Sequence, residues 1–317
     1  MRRLFYILFI TVVICHISCT SRIDIVESEL STSVKHDGKL LWTLNHDPLK
    51  GKPFFHPLAN TDGTTFTDLP KTDHPWHRGL WFSWKIINGV NYWEEKGYTG
   101  VPVGGYTRLL SNERQVFNDK SIEFVQHLEY APSIDSDALL KETRTIVVSV
   151  PDSAGNYTID WYGEFTALGL DLLLDRTPIA GEPNAKPYGG YAGLSVRMNK
   201  NMLKGAFLSG NGVELEIADA LEKGNKDALH GQSASWMTYQ NEDGGSLLFM
   251  DHPSNLNYPS KWYISPDMPY FSPAVIYENS KELKSGESLK LSYRILVSPN
   301  GLNRDLANEA WQKWTSK

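Results

Sequence analysis

Hydrophobic and polar residues alternate with a period of two along much of this 317-residue chain. The alternation is clearest over residues 122–130, 143–150 and 157–165, and further strand-length runs follow between residues 191 and 297. Because successive side chains of a strand point to opposite faces, such runs are typical of strands with one buried face. Gly, Pro, Asn and Asp border the runs, as they do at turns. The pattern therefore predicts a mostly β chain.

Helical periodicity is convincing only near the C-terminus, where Leu302, Leu306, Ala310 and Trp314 recur close to helical spacing. We expect one C-terminal helix that packs its apolar face against a sheet. No fixed-period repeat or low-complexity linker divides the sequence, and many strands joined by loops favour two large antiparallel sheets packed face to face. The predicted fold is all-β, a large antiparallel two-sheet supersandwich with a C-terminal helix, formed by a single β-sandwich domain over residues 22–317.

The first residues are typical of a secretion signal. Two arginines precede an apolar run over residues 4–14, and Cys19 closes the segment. We predict a lipoprotein-type signal peptide over residues 1–19 with the lipid on Cys19, although His16 stands where such signals usually carry an aliphatic residue. A plain secretion signal and an uncleaved anchor are alternatives. The predicted location is the periplasm or cell envelope, lipid-anchored through Cys19, or the outside of the cell if Cys19 is not lipidated.

Both cysteines, Cys15 and Cys19, fall in this first segment. After cleavage the body therefore has no disulfide framework, no cysteine metal ligand and no cysteine nucleophile. Removal of Arg2 and Arg3 leaves 29 basic against 37 acidic residues. This acidic balance argues against a nucleic-acid partner. A membrane is expected to meet the protein only through the lipid anchor.

Residues 73–81, with the sequence DHPWHRGLW, combine two imidazoles, a carboxylate, a guanidinium and two indoles. In a core each polar head would need a buried partner. A concave site, in contrast, can use the same groups to hold a polar ligand with flat apolar faces, such as a sugar. Pro75 disfavours a helical conformation in the residue before it, so a helical zinc-binding pair of histidines is not expected. We expect a loop that leads into a strand at Leu80.

Two other histidines, His56 and His252, also precede a proline in a predicted loop. The Asn88-Gly89 pair is typical of a hairpin turn. This turn folds the next strand back, so that either Glu94 or Glu95 faces the histidines. The register of the strand decides which one, because a slip of one residue exchanges the two faces.

A segment rich in glycine and tyrosine, residues 186–197, contributes Tyr191 and Arg197. Arg197 either pairs internally with a carboxylate or points into a pocket. Trp81 and Trp84 are three residues apart on a predicted strand, so they point to opposite faces and only one can line a site. The predicted catalytic residues are His56, His74, His77, Glu94 and His252, and the predicted substrate-binding residues are Asp73, Arg78, Trp81, Trp84, Tyr191 and Arg197.

Four sequence motifs together resemble those of a known family: FHP at residues 55–57, DHPWHRGLWF at 73–82, NGVNYWE at 88–94 and DHPSN at 251–255. They are similar to those of the secreted bacterial proteins known as the methane oxygenase PmoA family. Many members accompany carbohydrate-degrading systems, which implies a carbohydrate ligand. A methane monooxygenase subunit is an integral membrane protein, whereas this chain has no apolar span after its signal, so methane oxidation is not the expected activity.

The strand order and the KSGE turn at residues 284–287 are, more distantly, similar to those of galactose-mutarotase-like proteins. This resemblance implies a β-supersandwich with a sugar site on one sheet, where a histidine and a glutamate act as acid and base. No catalytic residue is carried over from it. One departure from the first family is Tyr263, where members often carry a histidine.

We expect an extracytoplasmic carbohydrate-active enzyme that acts on a sugar or glycoside by histidine and carboxylate acid–base chemistry, as an epimerase, lyase or hydrolase. This chemistry needs no cofactor. One alternative is a non-catalytic glycan-binding lipoprotein. A second is a metal enzyme in which a divalent ion is held by histidines, with His56, His74, His77 and His252 as the possible ligands.

A purely structural role, in which the proline-flanked histidines only cap turns, also stays open. The enzyme hypothesis depends on one geometric requirement. The three His-Pro loops near residues 56, 74 and 252 have to converge at one hollow of the β body.

Overall fold

The computed structural model describes residues 22–95, 104–223 and 229–316. The predicted signal peptide and Cys19 lie outside the described residues. In chain order the strands are β1 (Ile23–Glu27), β2 (Ser31–His36), β3 (Lys39–Asn45), β4 (Phe54–Leu58), β5 (Leu80–Ser83), β6 (Ile86–Ile87), β7 (Val90–Asn91), β8 (Tyr106–Val116), β9 (Ile122–Ala131), β10 (Leu140–Val148), β11 (Tyr157–Ala167), β12 (Leu172–Asp175), β13 (Gly193–Arg197), β14 (Ala206–Ser209), β15 (Glu214–Glu216), β16 (Trp236–Gln240), β17 (Ser246–Asp251), β18 (Trp262–Ser265), β19 (Tyr270–Pro273), β20 (Lys281–Leu283) and β21 (Ser288–Ser298).

The helices of the described ranges are short. Helix α1 spans Ile217–Lys223 and α2 spans Arg304–Thr315, with single 3-10 turns at Pro48–Lys50 and Lys200–Lys204. None of these helices is long and apolar enough to cross a membrane.

The strands form three antiparallel sheets. The first has eight strands in the order β1-β2-β3-β4-β5-β13-β19-β18, and the second has nine in the order β15-β14-β16-β17-β21-β11-β10-β9-β8. A small third sheet, β20-β12-β6-β7, contains the hairpin that the Asn-Gly pair predicted. Along β10 every second residue from Leu140 to Val148 is buried, which is the period-two pattern seen in the sequence.

The main core lies between the two large sheets. Phe82 of β5 stacks on Phe165 of β11 with ring centroids 4.9 Å apart, and Phe55 of β4 meets Trp161 of β11 edge-on at 6.4 Å. Phe54, the neighbour of Phe55, belongs to a separate aromatic cluster. Because adjacent strand residues point to opposite faces, that cluster lies on the outer face of the eight-stranded sheet.

Helix α2 covers the outer face of the nine-stranded sheet. Trp236 and Met250 of that sheet pack with Trp314 of the helix in a third apolar cluster. The Asn303 side chain caps the helix by accepting a hydrogen bond from the backbone N–H of Leu306. The predicted all-β architecture of two large antiparallel sheets with a C-terminal helix is therefore confirmed. The small third sheet and α1 had no counterpart in the prediction, and the limits of a single domain stay a prediction.

Candidate functional site

A cavity of about 260 Å³ opens on the outer face of the eight-stranded sheet. It lies over strands β19 and β18 and the loop that precedes β5. Six of its ten lining residues are tyrosine or tryptophan. The lining consists of His74, Trp76, His77, Trp93, Glu94, Tyr188, Tyr191, Tyr263, Met268 and Tyr270.

The loop before β5 makes a tight turn that brings its two histidines together. The backbone N–H of His77 donates to the carbonyl of His74 at 2.9 Å, and the two imidazole rings stack with centroids 5.0 Å apart. The turn ends at Gly79, whose φ of +65° favours glycine. A Cβ at this position would lie 2.2 Å from the Phe55 carbonyl oxygen, so only glycine lets the loop approach β4 this closely.

His77 lies between aromatic rings and is only 4% exposed, yet it lines the cavity. Its ring stacks on the Tyr270 ring with centroids 5.3 Å apart, and it packs at a tilt against the Trp81 ring at 5.2 Å. Burial holds the pKa of His77 well below the ordinary value, and electrostatic interactions with His74 and Arg197 lower it further. The imidazole is therefore neutral at neutral pH. Its Nδ1 atom is buried without a hydrogen-bond partner among the described residues.

Asp73 joins His74 to the sheet. One carboxylate oxygen contacts Nδ1 of His74, and the other accepts a hydrogen bond of 2.8 Å from Nη2 of Arg197. Burial would raise the pKa of Asp73, but the hydrogen bonds from Arg197 and His74 outweigh it and hold the pKa below its ordinary value. Arg197 is fully buried on β13. Of its two predicted roles, the internal pair with a carboxylate is therefore the observed one, and its predicted contact with substrate is wrong.

Glu94, and not Glu95, faces the cavity. Its carboxylate accepts two hydrogen bonds from Nζ of Lys85, at 2.8 and 2.9 Å. Burial lowers the pKa of Lys85, while the charge of Glu94 partly offsets this effect. The same ammonium lies 5.1 Å from the ring centre of Tyr191, which also lines the cavity.

Glu95 belongs to a separate buried cluster of charges. Its carboxylate lies 3.5 Å from Nζ of Lys52 and 4.0 Å from Nη2 of Arg78. Burial lowers the pKa of Lys52 to about 8. Arg78 covers the ring of Phe54 and donates to the Lys50 carbonyl. Arg78 is not among the residues that line the cavity, and its predicted substrate contact stays a prediction.

Trp81 and Trp84 point to opposite faces of β5, as predicted, but neither lines the cavity. Trp81 is fully buried beneath His77 and supports it. Trp84 is fully buried in the main core, 5.2 Å from Phe165. Their predicted stacking on a ligand is wrong, because both rings fill space inside the protein.

His56 and His252 do not join the stacked histidines in lining the cavity. His56, on β4, shares a hydrogen bond of 3.1 Å between its Nδ1 and the Thr67 hydroxyl. His252 follows β17 of the other large sheet and packs edge-on against Trp314 of α2 at 5.0 Å. Burial lowers the pKa of both imidazoles. The predicted convergence of three His-Pro loops is therefore wrong, because the loop at residue 252 lies on the helix side of the nine-stranded sheet.

A structural role accounts for the loop at residue 252. The carboxylate of Asp251 is fully buried and accepts hydrogen bonds from the Asn255 side chain at 2.7 Å and the Ser260 backbone at 2.9 Å. Burial raises the pKa of Asp251 to about 6. The indole N–H of Trp311 donates to the Asp251 carbonyl at 3.0 Å. These contacts fasten the loop and α2 to the end of β17.

Within the described ranges, no three His, Cys, Asp or Glu side chains are grouped in a way that could hold a metal ion. Several aromatic lining residues had no signal of their own in the sequence. Tyr263 and Tyr270 become neighbours only because β18 pairs with β19, and nothing in the sequence pattern placed β19 beside β13. Trp76 lies inside the segment of residues 73–81 that the sequence singled out.

The chain belongs to a family described as "Family of unknown function (DUF6807)", whose model matches residues 31–312. The description of this family does not mention methane oxygenase, which the sequence motifs had suggested. A search of curated proteins finds no match.

Among solved structures, the galactosidase domain of the alpha-galactosidase-sucrose kinase AgaSK is 12% identical with a TM-score of 0.39, over 88% of this chain and 41% of that chain. The alpha-N-acetylgalactosaminidase NagBb from Bifidobacterium bifidum is 10% identical with a TM-score of 0.33, over 93% and 37%. This chain thus spans well under half of either protein. A galactose mutarotase related enzyme from Lactobacillus acidophilus is 10% identical with a TM-score of 0.27, over 88% and 98%. All three similarities are distant.

Proposed function

We propose that this protein is an extracytoplasmic carbohydrate-active enzyme that uses the stacked histidines His74 and His77 for acid–base chemistry. The main support is the position of this pair in an aromatic cavity, with Glu94 in the same lining. The proposed location is the cell envelope, through a lipid on Cys19.

The lining suits a sugar ring. Tyr191 packs against Trp93 at 4.8 Å and against Tyr263 at 5.4 Å, so the three rings form an aromatic wall. Sugar CH groups stack on such faces, while hydroxyl groups need polar partners at the edge. Glu94 and the imidazole of His74 supply acceptors and donors there.

The two histidines suit different proton roles. Because burial keeps His77 neutral, its imidazole can accept a proton at neutral pH. The Asp73 carboxylate contacts Nδ1 of His74, which leaves Nε2 of that ring for the substrate. Arg197 holds the carboxylate in its ionised form and so fixes the orientation of the ring. Epimerisation, elimination and hydrolysis can all proceed by such a proton transfer.

The first prediction concerns His77→Gln in a screen of purified protein against ordinary, oxidised and unsaturated glycosides. Glutamine is polar and similar in size but cannot exchange a proton near neutral pH, so we expect kcat on the best substrate to fall about 10²- to 10⁴-fold. Circular dichroism should show an unchanged fold. The control is His252→Gln, since that histidine lies against α2, and its kcat should match the wild type.

Full turnover by His77→Gln would contradict the assignment of the site. A glycan that binds wild-type protein tightly without any turnover, across the whole screen, would replace the enzyme by the second candidate, a glycan-binding lipoprotein. The aromatic wall of Trp93, Tyr191 and Tyr263 supports that candidate equally well.

A further inference from the structure

A second cavity, of about 520 Å³, adjoins the first on the same face of the molecule. The two cavities share four lining residues, His74, Tyr188, Tyr263 and Met268. The two cavities therefore lie side by side, with these four residues on their common border. His74, the histidine held by Asp73, lies at the boundary between them.

The two parts differ in chemical character. The first has the neutral His77 and the aromatic wall, whereas the second is bordered by Asp73, His230, Ser265 and Asp267. His230 packs edge-on against Tyr263 at 4.7 Å, and its Nε2 lies 3.2 Å from the Tyr277 hydroxyl. The shared tyrosine is thus held between Tyr191 on one side and His230 on the other. These ring contacts hold Tyr263 in place on the border between the two cavities.

The sizes of the cavities bear on the ligand. Pockets for drug-sized ligands measure about 300–1,000 Å³. The first cavity, at about 260 Å³, is smaller than this range and suits a single sugar ring. The second, at about 520 Å³, lies within the range and has room for further units. A free monosaccharide would leave the second cavity empty.

We propose that the substrate is an oligosaccharide that occupies both cavities, with one unit against the aromatic wall and the following units in the second cavity. The bond or carbon that reacts then lies beside His74, at the boundary. This inference rests on the proposed function and deepens it, because it selects oligosaccharides over free monosaccharides.

The test is a chain-length series measured by isothermal titration calorimetry with the full-length protein. The probes are glucose, galactose, mannose, xylose and galacturonic acid, each as the monosaccharide and as linear α- and β-linked oligomers of two to four units. We expect one series to bind with a Kd that improves by about tenfold or more between the single unit and the trimer, since added units reach new contacts.

A matched pair of variants locates the effect. Ser265 is the last residue of the edge strand β18 and borders only the second cavity, so Ser265→Trp should fill that space. Its Kd for the trimer should rise about tenfold, to that of the monosaccharide. The control is Ser111→Trp, a half-buried serine on β8, the edge strand of the other large sheet. This variant should keep the wild-type series.

The outcomes are distinguishable. Equal Kd values for monomer and trimer in the wild type would overturn the two-cavity inference and leave the proposed function standing. Unchanged trimer binding by a correctly folded Ser265→Trp would do the same. Failure of every probe to bind would overturn the proposed function together with this inference. If Ser265→Trp does not fold, the wild-type series decides the question alone.

Discussion

At the scale of single residues, the arrangement around Asp73 depends on charge. Arg197 is fully buried, and within the described part of the chain its Nε and Nη1 atoms have no partner. The hydrogen bond from Nη2 to Asp73 is therefore its main compensation for lost hydration. Asp73 itself is partly exposed, so solvent weakens the attraction between the two charges.

Asp73→Asn should destabilise the protein by about 1–3 kcal/mol, because it leaves a buried guanidinium without a counter-charge. Urea unfolding followed by fluorescence measures the change. The double variant Asp73→Asn/Arg197→Met should recover part of the loss, since it leaves no buried charge unpaired. A double variant that is less stable than Asp73→Asn would show that the guanidinium is stabilised by something other than this carboxylate.

Single residues also show what the alternation of side chains along a strand can and cannot predict. The spacing of Trp81 and Trp84 placed the two rings on opposite faces, and the structure agrees. It could not predict that His77 would cover Trp81 on the outer face and that both indoles would be fully buried. Glu94 and Glu95 show the same limit, because only the register of the folded chain decides which carboxylate reaches the cavity.

At the scale of elements, the turn at Gly79 seats the stacked histidines. Gly79 and Gly286 both have positive φ, but only Gly79 has a backbone atom in the space of a side chain. Gly286 has open space there. Alanine at Gly286 therefore measures the cost of positive φ alone, whereas alanine at Gly79 adds a steric clash.

Gly79→Ala should lower the free energy of unfolding by more than Gly286→Ala. Positive φ alone costs a non-glycine residue about 1–3 kcal/mol. At Gly79 the added Cβ must also displace β4 from the loop, and the fluorescence of Trp81 beneath His77 should change. Equal destabilisation of the two variants in urea would contradict the close approach of loop and strand.

Strands such as β9 and β10 could be predicted from the sequence because burial alternates along them. The neighbours of each strand within its sheet could not be predicted. Strand β5 lies between β4 and β13, and β13 is more than a hundred residues further along the chain. The loops at residues 74 and 252 share the letters DHP, yet they end on different layers, because β5 and β17 join different sheets. A short sequence motif carries no information about which strands pair in a sheet.

At the scale of the whole molecule, the buried histidine links stability to pH. The pKa of His77 is lower in the folded protein than the ordinary value of 6.5. Below pH 6.5 the unfolded chain therefore takes up a proton that the folded protein does not. The contribution of His77 to the free energy of unfolding is therefore complete above pH 6.5. It decreases as the pH falls from 6.5 towards the pKa of the folded state.

His77→Gln removes this contribution, so the stability of the variant relative to wild type should increase between pH 7 and pH 5.5. The expected gain is about 1 kcal/mol, since one proton changes stability by at most about 1.36 kcal/mol per pH unit. Urea unfolding at the two pH values measures it. Between pH 8 and pH 7.5 the difference should stay constant. A relative stability that is the same at pH 7 and pH 5.5 would mean that His77 titrates normally in the fold.

The order of strands in the eight-stranded sheet sets a distance. Strand β1 forms one edge, and β18, which borders the second cavity, forms the other. Neighbouring strands lie about 4.8 Å apart, so the two edges are separated by roughly 34 Å. The proposed lipid on Cys19 is a few residues before β1, so it would attach the protein to the bilayer at the β1 edge of the sheet. The second cavity would then lie at the opposite edge of the sheet, away from the headgroups, where an oligosaccharide can enter it.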